Sequence, residues 1–164
     1  MKNILKFIFF VTVLTTTGFS SIASEQSQKL LNPGWSFKGF FGKFDRSSLQ
    51  RGYQVYTEVC SACHSMKYLS YRNLAEQGGP EFSKEQAKII ASQFEVIDGP
   101  NNDGEMFTRP ARLSDNFIGP YANEEAAKAA NGGAYPPDMS VLVKARQGGA
   151  DYIYSVLMGY DEPP

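Results

Sequence analysis

All the thiol and imidazole chemistry of this 164-residue chain is confined to one five-residue run, Cys60-Ser61-Ala62-Cys63-His64, which holds both of its cysteines and its single histidine. Two thiols three positions apart and an imidazole one position further on share one side of a helical turn. Covalent attachment of a haem needs that grouping: two thiols for the two vinyl groups of one porphyrin edge, and a nitrogen base for the iron. Cys-x-x-Cys-His is a haem attachment signature in which the histidine is the proximal ligand. Cys60 and Cys63 are therefore the expected thioether anchors, His64 the expected metal ligand, and one haem c the expected cofactor. Three readings compete with it. A plain disulfide is open to any exported protein. Zinc usually takes four ligands and would have to recruit a distant carboxylate. A redox dithiol uses both cysteines, but it gives the histidine no role and usually sits on a βαβ scaffold.

The amino terminus supplies the export. Met1-Lys2-Asn3-Ile4-Leu5-Lys6 is basic and Phe7 to Leu14 is a short apolar run, the layout of a secretory signal. Small residues at Ser21 and Ala23 place cleavage after Ala23, so residues 1–23 are read as the signal peptide and 24–164 as one domain. The alternative is an uncleaved anchor, although the run is shorter than the ~20 residues of a bilayer span. Lys2 and Lys6 leave with the signal, so 14 of the 16 basic residues remain against 17 acidic ones. That balance excludes nucleic acid as a partner.

Periodicity predicts a mostly helical chain with long loops and no convincing strand. Leu31 to Gly42 mixes aromatic residues with breakers and reads as a loop that packs its rings. Asp45 is a candidate N-cap for a helix carrying Leu49, Tyr53 and Tyr56 on one face and running directly into Cys60 and Cys63. Ser83 and Gln86 form a capping-box pattern ahead of the stripe Ala87, Ile90, Ala91 and Phe94. Asp98 to Glu105 is turn chemistry throughout and predicts a surface loop. Asn123 caps a short helix ended by Asn131-Gly132-Gly133, Asp138 caps a helix from Met139 to Arg146, and a last helix covers Tyr152 to Met158.

Beyond the haem motif, several blocks resemble the cytochrome c1 family. They are Val59 to Met66, Arg109-Pro110-Ala111-Arg112-Leu113-Ser114-Asp115, Asn131 to Ser140, Ala145 to Tyr152 and Gly159 to Pro164, so that the likeness runs from about Asn32 to the last residue. The resemblance implies a cytochrome c-like helical haem domain that transfers single electrons as a subunit of the ubiquinol–cytochrome c oxidoreductase complex. Its implied partners are cytochrome b, the iron–sulfur subunit as donor and a soluble cytochrome c as acceptor. Association with the membrane comes through the complex, on the periplasmic side of a bacterial inner membrane or the intermembrane side of a mitochondrial one. It further implies that Arg146 and Tyr152 contact the haem propionates and that Asn131, Pro136 and Pro137 line the haem face. A guanidinium suits a propionate, since it offers two parallel charged donors; Arg146 also fits a solvated cation at a helix C-terminus. Asp98, Asp103, Glu105, Glu124 and Glu125 read either as an acidic docking face for a basic cytochrome or as ordinary solvated surface.

The family continues past this length to a methionine ligand and a membrane-spanning helix, so the chain is expected to be an N-terminal part with the second axial ligand beyond Pro164. Met139 and Met158 are then expected in the core. The alternative is a complete soluble c-type cytochrome that uses Met139 or Met158 as its own ligand. A haem-based gas-binding or peroxidatic role is the alternative of another class. No substrate pocket or acid–base pair is apparent in the sequence.

Overall fold

A computed structural model describes residues 29–160. The expected signal peptide and the closing residues 161–164 lie outside the described residues. In chain order the elements are α1 (Arg46–Glu58), a 3-10 turn at Cys60–Ala62, a second at Tyr71–Ala75, α2 (Lys84–Ser92), β1 (Glu95–Asp98), β2 (Phe107–Pro110), α3 (Glu124–Ala130), α4 (Leu142–Ala145) and α5 (Ala150–Met158). Helices joined by long loops dominate, as the periodicity predicts. Among the described residues no helix is long and apolar enough to cross a membrane.

Local capping chemistry fixes the helix starts. The Asp45 carboxylate accepts from the Ser48 amide at 2.7 Å. Ser83 and Gln86 satisfy one another's amides reciprocally, at 3.1 and 2.8 Å, and Asn123 accepts from Ala126 at 2.8 Å. The end of α1 differs from expectation. Val59 leaves helical geometry at φ −123°, ψ −62°, and the cysteine motif is a separate 3-10 turn. Hydroxyl groups account for the break. Thr57 Oγ1 donates to the carbonyls of Tyr53 and Gln54, and Ser61 Oγ to that of Thr57, in competition with the backbone ladder.

The strands are a second departure. β1 and β2 pair antiparallel, with Glu95 opposite Pro110 and Asp98 opposite Phe107. Four-residue strands whose Ile97 is 76% exposed carry almost no alternating apolar signal, which is why the sequence conceals them. Residues 99–106 form the surface turn between them, so the expected loop holds except at Asp98, which closes β1; the turn is held by Asn101 Oδ1, which accepts from the amides of Asp103 and Glu105.

The core is aromatic. Tyr71, 1% exposed, sits 4.9 Å from the Phe117 ring and 5.4 Å from Phe94, while Tyr53 and Tyr56 close on Phe117 from α1. Ala87 and Ala91 are fully buried, and their small side chains let α2 seat against the Tyr71–Ala75 turn. Each buried ring contributes about 1.5–3 kcal/mol through area removed from water. The core reaches the motif through Tyr56, whose hydroxyl donates to the His64 carbonyl at 3.3 Å.

Arg109 ties the hairpin to this core. Its guanidinium grips Asp115 with two bonds, at 2.6 and 3.1 Å, and pairs with Asp98 through Nε. Hydrogen bonds from Arg109 and then from the Arg112 amide hold the Asp115 carboxyl at about 2, below its ordinary 3.8. A carboxylate with a depressed folded pKa contributes stability that is present above the unfolded value and lost as the pH falls through the folded one. Asp115→Asn is therefore expected to lower the melting temperature near neutral pH and to flatten the loss of stability between about pH 4 and pH 2. Thermal melts across that range test this, and an unaltered acid limb would contradict it.

Candidate functional site

Residues from four segments enclose a cleft of about 290 Å³. Cys60 and His64 line it from the motif, Pro137 and Met139 from the loop before α4, and Arg146 and Tyr152 from the approach to α5 and its first turn. Ile153, Val156 and Leu157 of α5 make its far wall apolar. Both thiols are free, Cys60 half-buried and Cys63 exposed. Cys63 borders a second concavity of about 250 Å³, shared with Tyr121, Tyr135 and Pro136. Among the described residues no three His, Cys, Asp or Glu side chains gather as a metal cage, so zinc finds no ligand set there.

One hydrogen bond decides the state of the histidine. His64 Nδ1 lies 2.9 Å from the Pro137 carbonyl oxygen. A carbonyl can only accept, so Nδ1 carries a proton, and in the neutral ring the lone pair is then on Nε2. The ring is thereby oriented and prepared to bind a metal through Nε2, the arrangement in which a ligating histidine is held by a carbonyl on its other nitrogen.

The loop that supplies this carbonyl is sewn to the residues following the motif. Met139 N–H donates to the Ser65 carbonyl at 2.8 Å, and Tyr68 N–H to Ser140 Oγ at 3.1 Å. Asp138 Oδ2 accepts from Ser65 Oγ at 2.7 Å and from Lys67 N–H at 3.0 Å, and its Oδ1 accepts from Ser140 N–H at 2.9 Å. These bonds correct the expected helix from Met139 to Arg146. Asp138 is committed to the motif rather than to a helix N-terminus, and α4 is a single turn that begins after Val141. The Asp-x-Ser pattern of residues 138–140 is a local signal for the Ser140 bond alone; the bonds to Ser65 and Lys67 have no local signal.

The other expected site residues divide. Arg146 and Tyr152 share the cleft, and among the described residues the Arg146 guanidinium makes only a 3.4 Å contact with the neighbouring Ala145 carbonyl. Pro136 and Pro137 face different concavities on either side of the motif. Asn131 lines neither. It closes α3 instead, donating to the Ala127 carbonyl at 2.7 Å and to the Tyr121 hydroxyl at 3.0 Å. Met139 packs against both core and cleft, whereas Met158 is 59% exposed at the end of α5 and is not a core residue. Of the acidic candidates, Asp98 pairs with Arg109, and Glu124 and Glu125 with Lys128.

The apolar wall is held from behind by the segment before α1. Asp151, in the first turn of α5, accepts from Trp35 Nε1 at 2.5 Å, from Lys38 Nζ at 2.6 Å and from Asn32 Nδ2 at 3.4 Å. Trp35 stacks edge-on to Tyr154, and Leu30 presses so closely on Gly148 that a Cβ there would collide with it. The expected ring-packing loop is thus present in Trp35 and Phe37. Phe40 and Phe41, by contrast, are 96% and 87% exposed on its turn.

Comparison with known proteins adds an independent finding. Residues 35–164 match the profile described as the Cytochrome C1 family. The chain is 50% identical over 150 residues to "Cytochrome c1 1, heme protein, mitochondrial" of Arabidopsis thaliana, a match that covers 89% of this chain and 48% of the relative. It is 50% identical over 143 residues to "Cytochrome c1" of Rhodospirillum rubrum, covering 87% and 52%. To "Cytochrome b/c1" of Bradyrhizobium diazoefficiens it is 48% identical over 158 residues, covering 85% and 23%. The chain thus spans about half the length of the first two relatives.

Asp151 is the hub of the buttress, so Asp151→Ala is expected to release the Trp35 indole. The check is the emission of Trp35, the sole tryptophan. A red shift and a lower melting temperature are expected, and unchanged emission would contradict the buttress.

Proposed function

The chain belongs to the cytochrome C1 family, and from that premise we propose that it carries one covalent haem c and transfers single electrons within a cytochrome b–c1 complex. Cys60 and Cys63 would be the thioether anchors, one thiol for each of the two vinyl groups of a porphyrin edge. His64 supplies the proximal nitrogen. The observation that carries the reading is the Pro137 carbonyl on His64 Nδ1, which leaves Nε2 as the basic nitrogen of a cleft residue flanked by Cys60.

The donor set fits such a group. Free thiols stand beside an oriented imidazole, and the cleft is walled by Ile153, Val156 and Leu157. Arg146 and Tyr152 bring a guanidinium and a phenol to the same cleft, where two propionates need charge-assisted partners. Haem bound there supplies a one-electron couple. The protein's share is to orient the imidazole, to exclude water from one face with α5, and to counter the propionate charge. Asn131 contributes at one remove, by fixing the end of α3 and Tyr121 beside Cys63.

Names of relatives support the setting, since they include a heme protein and a cytochrome b–c1 complex catalytic subunit. In the whole protein we assign the donor to an iron–sulfur subunit, the acceptor to a soluble cytochrome c, and the location to the exported face of the membrane, periplasmic or intermembrane. Residues 1–23 act as the signal peptide and 24–164 as the haem domain. Asp103 and Glu105, on the exposed hairpin turn, are in no ion pair among those described and can contribute to steering.

The test is maturation of the chain in a host that attaches haem c, followed by denaturing electrophoresis with a peroxidase stain for haem. A stained band at the mass of the chain is expected, lost in the Cys60→Ala/Cys63→Ala pair and retained as weakly held pigment in native gels. An unstained parent chain would sink the assignment and restore the disulfide or dithiol readings.

A further inference from the structure

The Pro137 carbonyl is a backbone atom on an irregular loop, so something must hold that loop where His64 can use it. Asp138, the next residue, accepts three hydrogen bonds, two of them from Ser65 and Lys67, directly after the histidine. Among the described residues, the other hydrogen bonds of this loop to the post-motif segment are the Met139 amide to the Ser65 carbonyl and the Tyr68 amide to Ser140 Oγ. Ser140 itself is aligned by the bond its amide makes to Asp138. We propose that Asp138 is the positioning residue of the site, a carboxylate that clamps residues 137–140 onto residues 65–68 and thereby sets how firmly the Pro137 carbonyl holds the His64 N–H. This inference rests on the haem reading above and assigns the tuning of that site to a residue that touches neither the imidazole nor the cleft.

The carboxylate is suited to the task in three respects. Burial pushes its pKa up, yet the hydrogen bonds from Ser140, Lys67 and Ser65 outweigh burial and hold it at about 2, so it is a full anion under physiological conditions. Its bonds are charge-assisted and therefore stronger than those of a neutral amide. It also reaches the backbone on both sides of the interface, so its loss loosens both strands of the clamp together. A histidine whose second nitrogen donates firmly to a carbonyl is a stronger electron donor to a bound metal, which favours the oxidised state.

The experiment compares the haem-loaded chain with its Asp138→Ala, Asp138→Asn and Ser83→Ala variants. Ser83→Ala removes a helix cap in the other half of the fold and serves as a control for lost stability. Two quantities are read: the reduction potential, and the exchange rate of the single histidine ring N–H, followed by NMR in the reduced, carbon-monoxide-bound form. Asp138→Ala is expected to raise the potential and to speed exchange at least about tenfold, since the clamp it removes is charge-assisted. Asp138→Asn, which keeps one acceptor oxygen, should fall between, and Ser83→Ala should leave the potential at the parent value. If the alanine variant does not mature, the asparagine variant decides. Parent-like potential and exchange in both Asp138 variants that mature would overturn the proposal while leaving the haem reading intact. Equal potential shifts in Ser83→Ala would overturn it too, by exposing a general stability effect. A parent chain without covalent haem would instead bring down the reading beneath it.

Discussion

The apposition of residues 65–68 with residues 137–140 is the joint on which this structure turns. On one side lies the cysteine motif, fixed to the aromatic core through Tyr56. On the other lies the loop that leads into α4 and α5, neither of which has a fully buried residue of its own. Without the joint, the apolar face of α5 would have no fixed relation to His64, and the cleft would not exist as a shaped space. Helix α5 can form one wall because the chain is stitched to the motif just upstream of it and to Asn32, Trp35 and Lys38 through Asp151.

Two kinds of cohesion therefore meet at the motif. The half built from α1, the Tyr71–Ala75 turn, α2 and the hairpin is held by burial: Tyr71, Phe117, Ala87 and Ala91 are its centre, and Arg109 braces its edge. The half built from α4 and α5 is held by carboxylates, Asp138 and Asp151, that collect backbone and side-chain donors from distant segments. Burial is non-directional and tolerates small shifts, whereas charge-assisted hydrogen bonds fix position. A site that must present one ring nitrogen at one angle is better served by the second kind.

Legibility in the sequence followed the range of the interaction. The Cys60–His64 spacing, the Ser83–Gln86 capping box and the Asn123 cap could be read because each partner lies within four residues of the other. Asp45 is legible as a cap, but the end of α1 ahead of the motif is not, because the hydroxyls of Thr57 and Ser61 compete with the helix in a way that periodicity does not register. The hairpin escaped because its strands are short and half exposed. Asp138 was legible as a capping residue and illegible as a clamp: its partners lie 71 to 73 residues away, one of them a backbone amide. The Pro137 carbonyl left no trace at all, since every residue carries one.

Asn131 extends the same argument. The resemblance implies a place for it on the haem face, and in the fold its amide donates to the Ala127 carbonyl and the Tyr121 hydroxyl, while Tyr121 in turn donates to the Ala62 carbonyl at 3.4 Å. A relay therefore runs from the end of α3 to the backbone between the two cysteines. The motif is thus gripped at three points, by Tyr56 beneath His64, by Tyr121 at Ala62 and by the Asp138 loop beyond Ser65, although its 3-10 turn has no buried residue. A partly exposed two-cysteine turn gripped in this way keeps its backbone fixed without burying the Cys63 thiol, and the proposed covalent attachment to a rigid planar group would demand both a fixed backbone and reachable thiols.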